Sequence, residues 1–135
     1  AEGQDWVLVH DAARPNLSRQ DLDLLLAELA SDAVGGLLAV PSRDTLKRVR
    51  PDGRVLETLD RSHIWQAFTP QMFRFEHLQQ ALRDALSSGA VVTDEASAIE
   101  LTGQAPRLIE GRADNLKITR PEDLDWLREH WAQQH

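Results

Sequence analysis

The residues best suited to chemistry follow an apolar run near the start of the chain. The apolar residues 6–9 (WVLV) are followed at once by residues 10–15 (HDAARP). The carboxylate of Asp11 could hold Mg²⁺, and the guanidinium of Arg14, three residues on, could bind a phosphate through its planar fork. The alternative is a strand end at which Asp11 caps a turn and Arg14 points into solvent. Spacing alone leaves both interpretations open.

These residues need an element to position them, and the apolar run supplies it. A continuous apolar run closed by a polar turn is typical of a strand that is buried on both faces, so we predict such a strand from this run. Ligands of open α/β sheets bind just outside the carboxyl ends of the strands. Asp11 and Arg14 are therefore expected at the ligand-binding edge of an α/β sheet.

A helix and a second strand follow this turn. Ser18 is a candidate N-cap with Asp21 at the third helical position. Leucines then recur with the helical period up to a helix end near Ser31, namely Leu22, Leu25, Leu26 and Leu29. Residues 34–40, with two glycines and four aliphatic residues, predict a second buried strand. Together the three elements predict a right-handed parallel βαβ unit.

The segment from Arg43 to Arg61 predicts a β-hairpin arm. Short alternating stretches flank the turn sequence 50–53 (RPDG). The segment has too few apolar residues for the core, and isolated hairpins are marginally stable in water. We therefore expect the arm to project from the sheet and to pack on a second copy of the protein. It contains six of the 15 basic residues, which suits a small phosphorylated ligand; a solvated hairpin with charged edges is the alternative.

The second half of the chain continues in a similar alternation of strands and helices. Residues 64–71 predict a strand whose polar end lies on its carboxyl side. A helix is predicted from about Arg74 to a C-cap at Gly89. The predicted buried face of that helix consists of Phe75, Leu78, Ala81, Leu82, Ala85 and Leu86.

Two further helices and a strand complete the predicted order. Thr93 is the candidate cap of a short helix, and residues 106–111 predict a strand. Residues 119–122 (TRPE) predict a capping box with proline in the first turn of a terminal helix. The packed face of that helix is predicted to carry Leu124, Leu127 and Trp131.

Composition excludes several functional classes. The 135 residues suffice for one domain, or part of one, and the net charge of −7 argues against general nucleic-acid binding. The absence of cysteine excludes disulfides, thiolate zinc sites and cysteine nucleophiles. No apolar run approaches the roughly 20 residues of a membrane helix, and no signal-peptide pattern opens the chain. A cytoplasmic protein is therefore expected.

Six segments of the chain occur together, in the same order, in one enzyme family. They are residues 9–15 (VHDAARP), 43–45 (RDT), 60–61 (DR), 69–71 (TPQ), 93–97 (TDEAS) and 111–119 (GRADNLKIT). On these motifs the chain resembles the C-terminal part of the 2-C-methyl-D-erythritol 4-phosphate cytidylyltransferase family, over essentially all of its length. The HDAARP and TDEAS strings are specific in combination, although each alone would be weak.

The resemblance implies a fold and a reaction. The implied fold is α/β: a partial Rossmann-like nucleotidyltransferase sheet in a three-layer α/β/α arrangement, with a projecting β-hairpin arm at about 43–61. The implied activity is the transfer of CMP from CTP to 2-C-methyl-D-erythritol 4-phosphate in non-mevalonate isoprenoid precursor synthesis, which yields CDP-methylerythritol and pyrophosphate. The implied cofactor is Mg²⁺, and the implied assembly is a homodimer whose arms embrace.

The resemblance also implies roles for individual residues. Asp11 would lie near the metal, the nucleotide phosphates and the substrate, with Ala12 and Lys117 also at the nucleotide. Arg14 would lie beside the methylerythritol phosphate. The implied catalytic residues are Lys117 and Arg61, the latter reaching over from the arm of the other subunit; they would position the acceptor phosphate for attack. Three threonines would bind the substrate, the first of them at the base of the arm: Thr45, Thr69 and Thr93.

One part of the family pattern has no counterpart in the sequence. No glycine-rich loop occurs at a strand–helix junction, although the family uses such a loop to stabilise the triphosphate. We therefore expect residues 1–135 to be the C-terminal part of a single nucleotidyltransferase domain and to be inactive alone. The N-terminal half is expected outside this sequence or in a separate chain.

Two other functions stay open at this stage. A related nucleotidyltransferase, such as a ribitol-phosphate cytidylyltransferase or a sugar-phosphate enzyme, is one, and these residues do not separate cytidine from uridine specificity. A non-catalytic dimerisation module, whose basic arm binds only its twin, is the other; binding of a polyol phosphate would argue against it. His10 is expected to be structural, because we place it on the first strand rather than beyond it.

Overall fold

A four-stranded β-sheet with helices on both faces forms the body of the protein in our computed structural model, which describes residues 2–134. The end residues of the expected 1–135 domain, Ala1 and His135, lie outside the described residues. No helix in the described part of the chain is long and apolar enough to cross a membrane. In chain order the elements are β1 (Trp6–Val9), α1 (Arg19–Leu29), β2 (Gly35–Pro41), β3 (Lys47–Val49), β4 (Val55–Thr58), β5 (Trp65–Arg74), α2 (Phe75–Ser88), α3 (Glu95–Glu100), β6 (Arg107–Glu110) and α4 (Pro121–Gln134).

The strands of the main sheet lie in the order β1-β5-β2-β6. β5 lies between β1 and β2 and runs antiparallel to both, whereas β2 and β6 are parallel. β1 and β2 therefore point in the same direction, as the predicted βαβ unit requires, but they are not neighbours. The prediction of a strand buried on both faces is wrong for β1, whose residues are half-buried or exposed. The physical reason is its place at the edge, where the described residues pair it with β5 alone.

Side chains alternate between the two faces of the sheet and build a core on each. Leu38 and Met72 pack against α1 on one face. Leu37 and Phe73, one position away on the same two strands, pack against α2 and α3 on the other face. This period-two alternation is what a sheet covered by helices on both sides requires. The predicted three-layer α/β/α arrangement is confirmed.

Two glycines inside β2 allow the neighbouring strands to approach closely. A Cβ at Gly35, where φ is +110°, would collide with the carbonyl oxygen of Met72, and a Cβ at Gly36 would collide with that of Arg107. Both obstacles are backbone atoms of paired strands, which cannot rotate away as a side chain could. Strand pairing therefore requires glycine at these two positions of an otherwise apolar strand.

We expect the Gly36→Ala variant to be destabilised by about 1–3 kcal/mol, because its methyl group would force β2 and β6 apart. Urea unfolding would show this as a lower midpoint at unchanged slope. Gly53→Asn is the control: a Cβ there would meet nothing within 4 Å among the described residues, and asparagine tolerates the positive φ of this turn. An unchanged midpoint for Gly36→Ala would contradict the close approach of the strands.

The first helix begins as predicted but ends slightly earlier and packs differently. The Ser18 hydroxyl accepts a hydrogen bond from the Asp21 amide at 3.1 Å, which confirms Ser18 as the N-cap. The buried Asp21 carboxylate accepts a hydrogen bond from the Arg112 amide at 2.8 Å instead of completing a capping box. α1 ends at Leu29, and Leu26, predicted on the buried face, is 38% exposed.

α2 and α3 each differ from the prediction at one position. Gly89 adopts the left-handed conformation after α2, as predicted for a C-cap. Leu86 is 83% exposed, so its predicted place on the buried face is wrong. The N-cap of α3 is Asp94 rather than Thr93, because the Asp94 carboxylate accepts a hydrogen bond from the Ser97 amide at 2.8 Å. The buried residues of α2 lie on a narrower face than predicted, formed by Leu78, Ala81 and Ala85.

α4 begins at Pro121 as predicted, but its cap is different. The Asp123 carboxylate accepts hydrogen bonds from the amide and the hydroxyl of Thr119 at 3.1 and 3.3 Å, in place of the predicted 119–122 box. Two of the three residues predicted on the packed face are more than a third exposed, namely Leu124 and Trp131. The terminal helix therefore contributes less to the core than its apolar pattern predicts.

The predicted arm is confirmed as a two-stranded hairpin. β3 and β4 pair in antiparallel register, and all of their residues are exposed. The Gly53 amide donates a hydrogen bond to the Arg50 carbonyl oxygen at 2.9 Å, which closes the turn between them. Within the described residues neither strand pairs with the main sheet, so the arm extends from it as a separate small unit.

Candidate active site

The turn that follows β1 is held by its own backbone and by β5. Asp11 Oδ1 accepts a hydrogen bond from the Ala13 amide at 3.0 Å, and the Asp11 carbonyl oxygen accepts one from the Arg14 amide at 2.9 Å. The Asp11 amide donates to Thr69 Oγ1 at 3.0 Å. Because β1 and β5 pair in antiparallel register, the residues just after β1 lie beside Thr69. The turn is therefore fixed both internally and against the neighbouring strand.

Thr69 reaches this turn from the middle of its strand. We predicted a strand over 64–71 with its polar end on the carboxyl side, but β5 continues to Arg74 and runs opposite to β1. The carboxyl end of β5 therefore lies beside the start of β1, at the opposite end of the strands from Asp11. The pattern of a single strand does not encode the direction of its neighbours, which is why the sequence prediction was wrong here.

A buried asparagine joins the turn to the segment after β6. Asn115 is 1% exposed; its Nδ2 donates to the Thr69 carbonyl oxygen at 2.8 Å, and its carbonyl oxygen accepts a hydrogen bond from Arg14 Nη1 at 2.6 Å. The Ile118 amide also donates to the Ala13 carbonyl oxygen at 2.6 Å. Sequence reasoning assigned no individual role to Asn115. The feature that could have indicated one is an amide side chain in the loop after a predicted strand.

Arg14 is partly buried between Phe68 and Asn115. Its guanidinium carbon lies 4.5 Å from the centre of the Phe68 ring, and its Nε is buried without a hydrogen-bond partner among the described residues. Burial lowers the pKa of Arg14, an effect that Asp11 partly offsets, but a guanidinium keeps its charge in proteins. The interpretation of Arg14 as a solvated surface charge is therefore wrong, and a poorly solvated cation favours a bound anion.

Lys117 places a second cation at the same turn. Its Nζ lies 3.3 Å from Asp11 Oδ2. The pKa of Asp11 is lowered chiefly by the hydrogen bond from the Ala13 amide, and further by Lys117 and by the charge of Arg14, while desolvation opposes these effects. The Asp11 carboxylate is consequently ionised at neutral pH.

We expect Asp11 to titrate below the ordinary aspartate pKa of about 3.9. Because the pKa of the folded state is depressed, these contacts stabilise the protein fully above the ordinary value. That contribution is lost as the pH falls through the depressed value. An NMR titration of the Asp11 carboxyl carbon measures the midpoint, and a midpoint at or above the ordinary value would contradict the hydrogen bond from Ala13.

Two adjoining cavities open on the cations of this turn. One, of about 450 Å³, is lined by the turn and the N-terminal end of α3, including Asp11, Thr69 and Thr93. The other, of about 560 Å³, lies toward the base of the arm and includes Arg43 and Asp44. Both cations are therefore accessible from either side of the turn. The residues that line both cavities are Arg14, Ala67, Phe68 and Lys117.

Gln71 sets the position of the loop that carries Thr93. It is 1% exposed; its Nε2 donates to Asp94 Oδ2 at 2.9 Å, and its Oε1 accepts a hydrogen bond from the Ala96 amide at 2.8 Å. These bonds tie the N-terminal end of α3 to β5, close to Thr69. Thr69 and Thr93 thus line one cavity, through a link that sequence reasoning missed.

The other predicted site residues do not line these cavities. Thr45 and Arg61 are exposed at the two ends of the arm, and Ala12 is exposed in the turn. None of the three lines either cavity formed by the described residues. The residues that the fold of this chain does bring together are Asp11, Arg14, Thr69, Thr93 and Lys117.

The side chains fit a magnesium ion carried by phosphates rather than one held by the protein alone. In the described range, no group of three or more histidine, cysteine, aspartate or glutamate side chains could hold a metal. Mg²⁺ at nucleotides needs one or two carboxylates, with phosphate oxygens and water as its remaining ligands. Asp11, ionised and lining the 450 Å³ cavity, is a carboxylate that fits this role.

Comparison with known proteins assigns these motifs to one family. Residues 1–129 match the family model described as IspD, 2-C-methyl-D-erythritol 4-phosphate cytidylyltransferase. A relative of that name from Pseudomonas fluorescens is 73% identical over 132 residues, which are 98% of this chain and 56% of the relative. One from Ectopseudomonas mendocina is 72% identical over 130 residues, 96% of this chain and 55% of the relative. The chain spans about half the length of the curated relatives it matches.

Solved structures of the family that the motifs indicate are similar to this chain. The 2-C-methyl-D-erythritol 4-phosphate cytidylyltransferase of Francisella tularensis is 40% identical with a TM-score of 0.88, over 95% of this chain and 60% of that one. The structure of the same name from Thermus thermophilus is 31% identical with a TM-score of 0.82, over 95% and 62%. The predicted nucleotidyltransferase type of α/β fold is confirmed. The chain belongs to the IspD family, as its motifs predicted.

Proposed function

We propose that this chain is the C-terminal part of a cytidylyltransferase that transfers CMP from CTP to 2-C-methyl-D-erythritol 4-phosphate in isoprenoid precursor synthesis. The observation that carries the proposal is the grouping of Asp11, Arg14 and Lys117 at one fixed turn. Family membership and the names of the relatives support the same reaction. The chain would supply the acceptor side of the site, and the rest of such an enzyme would supply the nucleotide side.

The proposed reaction brings two anionic groups together. An oxygen of the acceptor phosphate attacks the α-phosphorus of CTP in line, and pyrophosphate leaves as the bond from that phosphorus to the bridging oxygen breaks. Positioning and charge neutralisation can account for such a step without a protein nucleophile. Arg14 and Lys117 would bind the acceptor phosphate and reduce its repulsion from the nucleotide.

The residues around these cations would bind the remaining groups. Asp11 would hold the Mg²⁺ ion, which neutralises charge on the nucleotide phosphates when it is bound. Ala12, exposed beside Asp11, would lie against the nucleotide. Thr69 and Thr93 would hydrogen-bond the polyol from the wall of the 450 Å³ cavity.

The arm would complete the site of a second copy of the chain. Thr45 and Arg61 lie outside the cavities of their own protomer, which a role in another protomer would explain. The arm also exposes apolar side chains by 56% to 59%, and such surfaces favour association: Val49, Val55 and Leu56. In a homodimer, Arg61 would bind the acceptor phosphate in the site of the other subunit, with Thr45 near it.

Pyrophosphate release tests the reaction. The assay uses the full-length protein that contains this chain, with CTP, Mg²⁺ and 2-C-methyl-D-erythritol 4-phosphate. We expect turnover in the parent protein and a loss of about 100-fold or more in Arg61→Ala. Arg54→Ala, which removes another exposed arginine of the arm, is the matched control and should stay near the parental rate.

Mixing of subunits tests whether Arg61 acts across the dimer. A mixture of Arg61→Ala and Lys117→Met proteins forms hybrid dimers. If Arg61 acts in trans, one site of each hybrid carries both changes and the other carries neither. We therefore expect activity to reappear on mixing, and persistent inactivity would place Arg61 in the site of its own subunit.

The same assay separates the alternative functions. Turnover with ribitol phosphate but not with methylerythritol phosphate would identify a related cytidylyltransferase, and a comparison of CTP with UTP would establish the base specificity. A lack of pyrophosphate with every acceptor would favour the non-catalytic dimerisation module. A cytoplasmic location stays a prediction.

A further inference from the structure

A chain of hydrogen bonds links His10 to the candidate site. Thr69 Oγ1 lies 3.0 Å from His10 Nδ1, and His10 Nε2 lies 2.8 Å from the Arg14 carbonyl oxygen. Thr69 Oγ1 also accepts a hydrogen bond from the Asp11 amide at 3.0 Å. β1 ends at Val9, so our placement of His10 on the strand is wrong; it is the first residue of the turn.

These contacts fix the direction of each hydrogen bond. A carbonyl oxygen can only accept, so His10 Nε2 carries the hydrogen that it donates to Arg14. In a neutral imidazole Nδ1 is then an acceptor, and the Thr69 hydroxyl donates its single hydrogen to it. Of the two lone pairs of the Thr69 oxygen, the Asp11 amide takes one. Thr69 therefore has one lone pair left, with which it can accept a hydrogen bond from a ligand.

We propose that His10 is a positioning residue that commits Thr69 to accept a hydrogen bond from a hydroxyl group of the substrate. This inference rests on the proposed function and deepens it. A fully ionised phosphate has no hydrogen to donate, so Thr69 binds the polyol part of the acceptor rather than its phosphate. Acceptors without that hydroxyl leave the Thr69 lone pair unpaired and bind more weakly.

The cations of the cavity favour the same class of ligand. Arg14 and Lys117, which carry only donors, line the 450 Å³ cavity together with Thr69. The cavity therefore combines the acceptor lone pair of Thr69 with two positive charges. A polyol phosphate is the class of ligand that meets both demands, with a hydroxyl donor for the acceptor and an anion for the cations.

The tautomer of His10 is the first test. Nitrogen-15 NMR of the full-length protein, at a pH where imidazole is neutral, distinguishes a hydrogen on Nε2 from one on Nδ1. We expect the Nε2–H form. The Nδ1–H form would overturn the proposal, because Thr69 would then receive that hydrogen and keep its own for the ligand.

Two partial replacements of the ring separate its two nitrogens. In His10→Asn the amide oxygen replaces Nδ1 as an acceptor for Thr69, and in His10→Gln the amide nitrogen replaces Nε2 as a donor to Arg14. We expect the KM for the acceptor to rise about 10-fold in His10→Gln and to stay within about 3-fold in His10→Asn, with kcat and the KM for CTP unchanged. His77→Gln is the control, since His77 Nε2 lies 3.4 Å from the Thr102 hydroxyl, outside the cavity.

The outcomes are distinct from those that test the reaction. An equal rise of the acceptor KM in both variants, or a loss of thermal stability without a change in KM, would overturn the proposal and leave His10 with a structural role. A parent protein that turns over no acceptor would count against the proposed function. The NMR measurement needs no turnover, so it would still decide which hydrogen bonds His10 makes.

Discussion

The Lys117→Met protein is expected to lose about 100- to 1,000-fold in kcat/KM while its fold stays intact. The Lys117 ammonium group lies 3.3 Å from Asp11 and lines both cavities, so its removal takes away one of the two cations that we propose bind the acceptor phosphate. The Lys117 side chain is 54% exposed, and exposed ion pairs contribute little to stability. Activity and stability should therefore separate in this variant.

Initial rates of pyrophosphate release, together with thermal unfolding, measure the two effects of the Lys117 substitution. Lys47→Met is the matched control, because this lysine donates to the Thr58 hydroxyl at 2.7 Å on the exposed arm. Parental activity in Lys117→Met would contradict a phosphate bound at this lysine. A large fall in its unfolding temperature would show that the contact with Asp11 is mainly structural.

Arg14→Lys is expected to lose both activity and stability, although the positive charge is kept. A lysine cannot at once donate to the Asn115 carbonyl oxygen, lie flat on the Phe68 ring and present a second donor to a phosphate. The lost hydrogen bond and ring contact are expected to cost about 1–2 kcal/mol of unfolding free energy. We expect kcat/KM to fall about 10- to 100-fold, because the remaining donor is misplaced.

Urea unfolding and the same rate assay check this expectation. Arg19→Lys is the control, since its ion pair with Asp23 at 3.2 Å is exposed and the change should stay within about 0.5 kcal/mol. If Arg14→Lys lost activity at parental stability, the contact with Asn115 would not be what holds the guanidinium in place.

The turn after β1 could be predicted because its signal is local. An apolar run that stops at a carboxylate and an arginine indicates both a strand end and a ligand site, and the structure brings Asp11 and Arg14 together there. The arm could be predicted for the same reason, because a turn sequence between two short alternating stretches indicates a hairpin without any tertiary information.

The sheet order could not be predicted in the same way. β5 inserts between β1 and β2 and runs against both, and its residues pack on both faces whichever neighbours it has. The prediction of Thr93 as a helix cap was wrong, because threonine and aspartate both cap helices and the local pattern does not separate them. The structure has Asp94 as the cap, and its carboxylate also accepts a hydrogen bond from Gln71 of β5.

The partners at the candidate site are far apart in the chain. Thr69 meets Asp11 58 positions away, and Asn115 meets Arg14 101 positions away. Contacts of such separation cost loop-closure entropy and are slow to form, so a chain in which β1, β5 or the 112–118 segment has not yet docked has no site. A polyol phosphate that binds there would stabilise only the completed structure. Protease resistance gained on adding it to newly synthesised protein would therefore report the fraction of chains that have finished folding.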